Sequence, residues 1–361
     1  MITKLELKNF RCFEDFTFDG IRPVTLIAGE NNVGKSALLE SVCLFMGRNT
    51  PQVFNVLNDI RGLNRMPFTP YTVWESLFSN YNTNEAINIR VVFDGTECLL
   101  SLSSGEALEF DISDSDFGDT LSMVENYPLK VQYIENDTEN NFNYILLREG
   151  RIAIEREGRK YRKYRSHLLS RRLHRILPNY LSTKLPISTS RIANLLDSHL
   201  RHGTIGKIVD ILNIFDNRVK DLLITSTNGI PGVAVDLGLP VKLPINILGD
   251  GINKLLGIIL SMFSNPDGIL LIDEIENGFH YSFFPKLWEI IGKLTIETGC
   301  QVFATTHSSE CIDGSLKLAT SSENPDLFRF VRLDRVEGVV VPKIFSNDSF
   351  EYAVNNNWEV R

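Results

Sequence analysis

Three groups of residues have the types and spacing that phosphate chemistry needs. The first is Gly29-Glu30-Asn31-Asn32-Val33-Gly34-Lys35-Ser36, which fits the pattern G-x-x-x-x-G-K-[ST]. Gly29 and Gly34 permit a tight turn. Backbone N–H groups and the start of a helix then face an anion. Lys35 reaches the β- and γ-phosphates of a nucleotide, and the Ser36 hydroxyl can ligate Mg²⁺. Ala37 follows in the first helical turn and belongs to the same cradle. A chain of this length meets the pattern by chance roughly once in a hundred. The bland alternative is therefore a coincidental surface loop.

The second group is Asp273-Glu274, at the end of the apolar run Gly268-Ile269-Leu270-Leu271-Ile272. Charge at the end of a buried strand costs free energy unless it has a partner. A metal ion held by Asp273 is one such partner, and Glu274 would orient or deprotonate an attacking water. A pair of acids opening a helix is the competing reading. The third group is His307, just past the apolar run Cys300 to Thr305. That run follows the acid strand by one helix, so a parallel β-α-β connection is expected. His307 then emerges beside Asp273, within reach of a γ-phosphate or its attacking water.

The elements that must position these groups are legible in outline. Ile2 to Lys8 alternates apolar and polar side chains, and Phe16 and Phe18 continue the alternation. Val24 to Ala28 reads as a buried strand and Ser36 to Met46 as a helix. Gln52 to Asn80 reads as loop-rich, with Pro51, Pro67 and Pro70 as breakers. Ile87 to about Tyr161 reads as a series of strands. Arg162 to Ile176 is expected to be helical, and Ile192 to Leu223 helical in two pieces. Val233 to Ile247 reads as strand, and Asn253 to Phe263 and Phe279 to Leu294 as helices. Phe328 to Phe345 reads as a hairpin turning at Glu337-Gly338. The expected organisation is an N-terminal lobe over 1–161, a helical insertion over 162–228 and a C-terminal lobe over 229–361.

Composition narrows the classes further. The net charge of −8 argues against a general polyanion binder, so any nucleic-acid contact must be local. Five scattered cysteines, odd in number and without a C-x-x-C pair, read as reduced thiols. No apolar run approaches the roughly 18 residues a membrane helix needs. A soluble, cytoplasmic protein is expected.

Taken together, these elements resemble the ABC-type ATPases. The likeness is to the branch containing recombination protein F, the structural-maintenance-of-chromosomes heads and the overcoming-lysogenization-defect family. Leu5-Glu6-Leu7-Lys8-Asn9-Phe10-Arg11-Cys12-Phe13 resembles that branch's opening strand and aromatic turn. Asp273-Glu274-Ile275-Glu276-Asn277-Gly278-Phe279-His280 resembles its Walker B and D-loop, and Phe303-Ala304-Thr305-Thr306-His307-Ser308 its switch-histidine segment. The resemblance covers residues 1–47 and 245–310. It implies an α/β fold of P-loop NTPase type: a mixed central sheet, an antiparallel β lobe and an inserted helical segment. It also implies ATP and Mg²⁺ as ligands, Arg11 as a nucleotide contact, and a head-to-head homodimer enclosing two nucleotides.

Leu248-Gly249-Asp250-Gly251 stands where that family has its L-S-G-G signature. The serine that would meet the partner protomer's γ-phosphate is missing. Amides at Gly249 and Gly251 remain to face that phosphate, with Asp250 turned away or touching the metal. A plain glycine turn before a helix is the other reading. Gln52, Arg61 and Trp74 are candidates for further contacts from the loop after the first helix.

The segment from Arg148 to Arg175 is basic, with Tyr161 and Tyr164 interleaved. Phosphate-backbone contact and a solvated charged face both account for it. His199 and His202 share a helix face and read as surface residues. Too little chain follows His307 for a TOPRIM nuclease domain, which members of this family often carry. The chain thus resembles a stand-alone ATPase that gates a separate nuclease or toxin in anti-phage defence. The alternative is a repair-type ATPase that clamps DNA directly. The guanine-reading N-K-x-D of GTPases is absent, because Asn253-Lys254 is followed by Leu255-Leu256.

Overall fold

The computed structural model describes residues 1–63, 69–105, 128–147, 151–156, 159–162, 178–182, 188–356 and 358–360. It forms two compact units, each assembled from separated stretches of chain. The first comprises residues 1–21, 30–178 and 333–343, the second 22–29, 179–332 and 344–361. The stretch 162–228 therefore contributes to both.

The first unit is built on an eight-stranded antiparallel sheet. Its strands are β1 (Ile2–Phe10), β2 (Phe13–Asp19), β4 (Ile87–Phe93), β5 (Thr96–Ser104), β6 (Leu129–Glu135), β7 (Thr138–Leu147), β8 (Arg151–Arg156) and β9 (Arg159–Arg162). The order is β2-β1-β4-β5-β6-β7-β8-β9. Alternation along β1 buries Leu5 and Leu7, and Ile89, Leu100 and Val131 of neighbouring strands join them. Helix α1 (Lys35–Met46) is buried continuously from Ala37 to Phe45.

The stretch after α1 corrects the loop-rich expectation. Helix α2 (Gln52–Arg61) buries Val53, Phe54, Leu57 and Ile60 on one face. Pro51 and Pro70 open helices instead of breaking them, and Pro67 lies outside the described residues. Pro51 is the N-cap of α2. Pro70 occupies the first position of the short α3 (Pro70–Val73), which Thr69 caps. A missing N–H costs nothing at such positions.

In the second unit, β3 (Val24–Gly29), β10 (Asn179–Leu181), β14 (Ile269–Ile272) and β15 (Gln301–Thr305) lie side by side. Their order is β10-β14-β15-β3, and the sheet continues into β16 (Phe328–Val336) and β17 (Val339–Phe345). β10, β14, β15 and β3 pair in parallel. All residues of β3, β14 and β15 are buried, as parallel strands covered on both faces must be. β16 and β17 turn at Glu337 and Gly338, both at positive φ, as a two-residue hairpin requires.

The helices of this unit are α4 (Thr189–Arg201), α5 (Ile205–Phe215), α6 (Asp250–Phe263), α7 (Phe284–Thr298), α8 (Ser309–Gly314), α9 (Leu316–Ala319) and α10 (Asn347–Asn355). α6 is buried at every position from Leu255 to Met262. Each Leu or Ile placed there contributes about 1.5–3 kcal/mol relative to exposure. α4 and α5 are the two expected helical pieces, parted near Gly203 at φ 69°. The helix ends sooner than the periodicity suggested. Residues 221–227 form β11 (Asp221–Thr227), paired with β12 (Ile230–Asp236) and β13 (Leu243–Pro244) in a small antiparallel sheet. No helix among the described residues is long and apolar enough to cross a membrane.

Candidate nucleotide site

Parallel order brings Gly29, the paired acids Asp273-Glu274 and the strand leading to His307 to one edge of the second unit's sheet. β3 ends at Gly29, β14 ends beside Asp273 and β15 ends two residues before His307. Register fixes the alignment: Ile272 sits opposite Ala304, and Ala304 opposite Leu26. The carboxyl edge of a parallel sheet is where such folds place ligands.

Asp273 and Glu274 are organised by one hydroxyl. Thr305, fully buried, donates through Oγ1 to Asp273 Oδ1 at 2.5 Å. The same Oγ1 accepts the Glu274 N–H at 2.9 Å. Asp273 also donates its N–H to Leu181 O at 2.8 Å, extending the β10 pairing by one residue. Glu274 has φ 53°. A left-handed backbone at a residue other than glycine costs about 1–3 kcal/mol and persists only where surroundings impose it. Three neighbours impose it here: the Thr305 hydroxyl, the Asn277 amide, which donates to Glu274 Oε2 at 2.6 Å, and Lys254.

Lys254 is a residue beside the paired acids whose placement sequence reading did not anticipate. It lies on α6, and its Nζ donates to the carbonyls of Glu274, Ile275 and Asn277 at 2.8, 3.2 and 3.1 Å. Burial pushes its ammonium down to about 8, against the pull of Glu276, Cys311, Glu274 and Asp273. The available signal was a lone cation, immediately before an apolar stretch that runs from Leu255 to Phe263 with only Ser261 as a polar residue.

His307 is half-exposed, and Nδ1 lies 2.7 Å from Oε1 of Glu276, whose side chain is 8% exposed. The same oxygen accepts the His307 backbone N–H at 2.9 Å.

Gly249, Asp250 and Gly251 begin α6, with Gly249 at φ 104°. Gly249 and Asp250 are exposed, whereas Gly251 is buried. A Cβ on Gly251 would come within 2.6 Å of the Gly278 carbonyl. Gly251 thus packs against the turn that follows the paired acids.

The first unit supplies the rest of the phosphate loop. Gly34, at φ 116°, is the N-cap of α1 and offers no side-chain acceptor to the first-turn amides. Such a helix start favours an anion. A Cβ on Gly34 would approach Cys12 Sγ to 2.6 Å, so the aromatic turn around Cys12 and Phe13 packs directly under the loop. Glu30, Asn31 and Asn32 are exposed, Val33 and Ala37 are buried, and Lys35 and Ser36 are half-buried. Asn32 takes φ 63°. Lys35 Nζ donates to the Glu30 carbonyl at 2.9 Å.

Arg11, at φ 54°, donates through Nε to the fully buried Glu40 at 2.9 Å. Its Nη1 donates to Ser76 O at 2.7 Å, and its Nη2 is buried with no hydrogen-bond partner. Burial lowers its pKa, against the attraction of Glu40. Arg61 takes the other oxygen of Glu40 at 2.5 Å. Trp74 is 1% exposed, its indole edge-on to the Phe54 ring. Gln52 begins α2 and accepts from the Thr50 hydroxyl.

Much of the basic segment, including Arg148, Lys163, Arg165, Arg171, Arg172 and Arg175, lies outside the described residues. Arg151, Arg156, Arg159, Lys160 and Arg162 fall on β8 and β9. His199 contacts Phe263 with ring centroids 5.5 Å apart. Among the described residues no group of three or more His, Cys, Asp or Glu could hold a metal. A carboxylate such as Asp273 and a hydroxyl such as Ser36 are each oxygen donors of the kind Mg²⁺ takes, an ion that needs few protein ligands.

Residues 128–313, just over half of the chain, match the family described as AAA domain, putative AbiEii toxin, Type IV TA system. The chain belongs to this AAA-domain family. Residues 4–183 match a second AAA-domain description. The AAA-domain protein is similar to an ATP/GTP phosphatase of Helicobacter pylori (strain ATCC 700392 / 26695), 25% identical over 99% of this chain and 98% of that protein. It is also 32% identical to the OLD nuclease of Thermus scotoductus (strain ATCC 700910 / SA-01), over 26% of this chain and 15% of that protein. Its fold resembles an SmcHead solved bound to the C-winged helix domain of ScpA. That likeness has a TM-score of 0.50 and 14% identity, covering 96% of this chain and 98% of the other. The AAA-domain protein is an ATPase with the α/β fold of a P-loop NTPase.

Proposed function

We propose that this ATPase is Mg²⁺-dependent, closes into a homodimer on ATP, and gates a separate nuclease or toxin in anti-phage defence. The convergence of Gly29, the paired acids and His307 on one carboxyl edge carries the reading. In this scheme the amides of Gly29 to Ala37 and the Lys35 ammonium bind the phosphates. Arg11 adds its Nη2 to the same nucleotide. Ser36 and Asp273 hold Mg²⁺, which supplies charge neutralisation on the phosphate oxygens when bound. Glu274 orients the attacking water and accepts its proton, and His307 bonds the γ-phosphate or that water. Gly249 and Asp250, exposed at the start of α6, meet the partner protomer's nucleotide. A cytoplasmic location suits this role.

Support for the effector comes from the family description, which names a putative toxin, and from the partial match to an OLD nuclease. The test is Glu274→Gln in ATP and Mg²⁺. We expect retained ATP and a stable dimer by light scattering. A monomeric variant that hydrolyses at the wild-type rate would sink both the base assignment and the ATP-driven dimer. Co-purification of a nuclease or toxin from the native host tests the effector. Binding of plain duplex DNA in its place, lost on neutralising Lys163 and Arg165, would favour the DNA-clamping alternative.

A further inference from the structure

Glu276 sits three residues past Asp273 in the turn after the acids, and no step above uses it. Its position is unusual for a carboxylate. The side chain is 8% exposed, and Oε2 is buried without a hydrogen-bond partner. Burying an acid this far is costly unless its bonds compensate. Nearly all of that compensation comes from one residue: His307 gives Oε1 both its backbone N–H and its Nδ1, at 2.9 and 2.7 Å. The Lys254 ammonium adds attraction without a hydrogen bond to it.

An ionised carboxylate only accepts, so the proton between the two groups belongs to Nδ1. Two bonds from one oxygen to one residue also restrict the rotation of the imidazole. Nε2 is therefore turned away from Glu276, on a ring that is 50% exposed. Which ring nitrogen carries the proton is set by the bond the other one makes.

We propose that Glu276 is a positioning residue for ATP hydrolysis: it fixes the Nδ1–H tautomer of His307 and aims Nε2 at the reacting phosphate or its water. This rests on the role given to His307 above. A purely structural Glu276 would tie β15 to the turn through the backbone N–H alone. It would leave the tautomer free, and removing it would change stability without a selective change in turnover.

The wild-type protein offers the first measurement. Long-range ¹H–¹⁵N spectra of histidine-labelled protein, with His307 assigned by its loss in His307→Ala, report the tautomer directly. We expect Nδ1–H with a bare Nε2, and an Nε2–H tautomer would overturn the proposal. In Glu276→Ala, kcat should fall roughly 10- to 100-fold with the KM for ATP nearly unchanged, and Glu276→Gln, which keeps an acceptor, should recover part of it. Glu276→Ala placed on His307→Ala should cost nothing more. Additive losses on a slow His307→Ala background would overturn this inference alone. A His307→Ala enzyme at the wild-type rate would sink the role of His307 itself, and this inference with it.

Discussion

Thr305 donates its hydroxyl to Asp273 and, on the same oxygen, receives the backbone N–H of Glu274. One buried atom thus sets the carboxylate assigned to the metal and the backbone of the residue assigned to the water. Thr305→Val keeps the shape and removes both bonds. We expect hydrolysis to fall roughly 10- to 100-fold while ATP affinity changes little. The Glu274 amide loses its acceptor, which should cost about 1–3 kcal/mol of stability. Turnover, nucleotide titration and thermal melts on one preparation check all three, and an unchanged kcat would refute the arrangement.

The Lys254 ammonium serves three carbonyls around Glu274. Its folded pKa is depressed to about 8 from 10.5, by burial foremost. Between those values the unfolded chain holds the proton and the native chain does not. This group's contribution to stability therefore rises with pH across that window and is flat outside it. The effect on turnover runs the other way. A neutral amine has two N–H donors for three carbonyls, so hydrolysis should decline as pH rises through about 8. Lys254→Met should be slow throughout and lack that limb, and a matching limb in the variant would assign it to another group.

Glu40 is fully buried between Arg11 and Arg61. Glu40→Ala strands both cations and should cost about 3–5 kcal/mol, read by urea unfolding. Arg61 is 38% exposed and Arg11 only 12%. Arg11→Ala should therefore destabilise more than Arg61→Ala, and the reverse order would show that Arg61 carries the pair.

Lys35→Ala tests the phosphate loop. Its Nζ bonds an exposed carbonyl of its own loop, so the melting temperature should hardly move. ATP affinity should fall roughly tenfold or more, the weight of a bond between charged groups. Equal affinity by calorimetry would remove the loop from the site.

What the sequence disclosed and what it hid follow from locality. The phosphate loop, the acid strand and the β-α-β step to His307 are short-range patterns, and their parallel order follows from a handedness rule. Lys254 and Thr305 were not legible as neighbours of the paired acids because their partners lie 20 to 32 positions away. Glu276 stood inside a quoted motif, yet nothing local said that its carboxylate would meet an imidazole 31 residues later. α2 was hidden for a different reason: proline reads as a breaker until its place in the first turn is known. That Gly251 packs against the carbonyl of Gly278 likewise depends on a partner 27 positions away.

The interleaving of the two units has a consequence for synthesis. Residues 333–343 finish the first unit and 344–361 the second. Neither unit can close until the segment 333–361 has been made. Vectorial, one-after-the-other maturation is denied to this chain, and its nascent form must carry β3 without its partner until β15, nearly three hundred residues later, has been made, a state in which chaperones have something to hold.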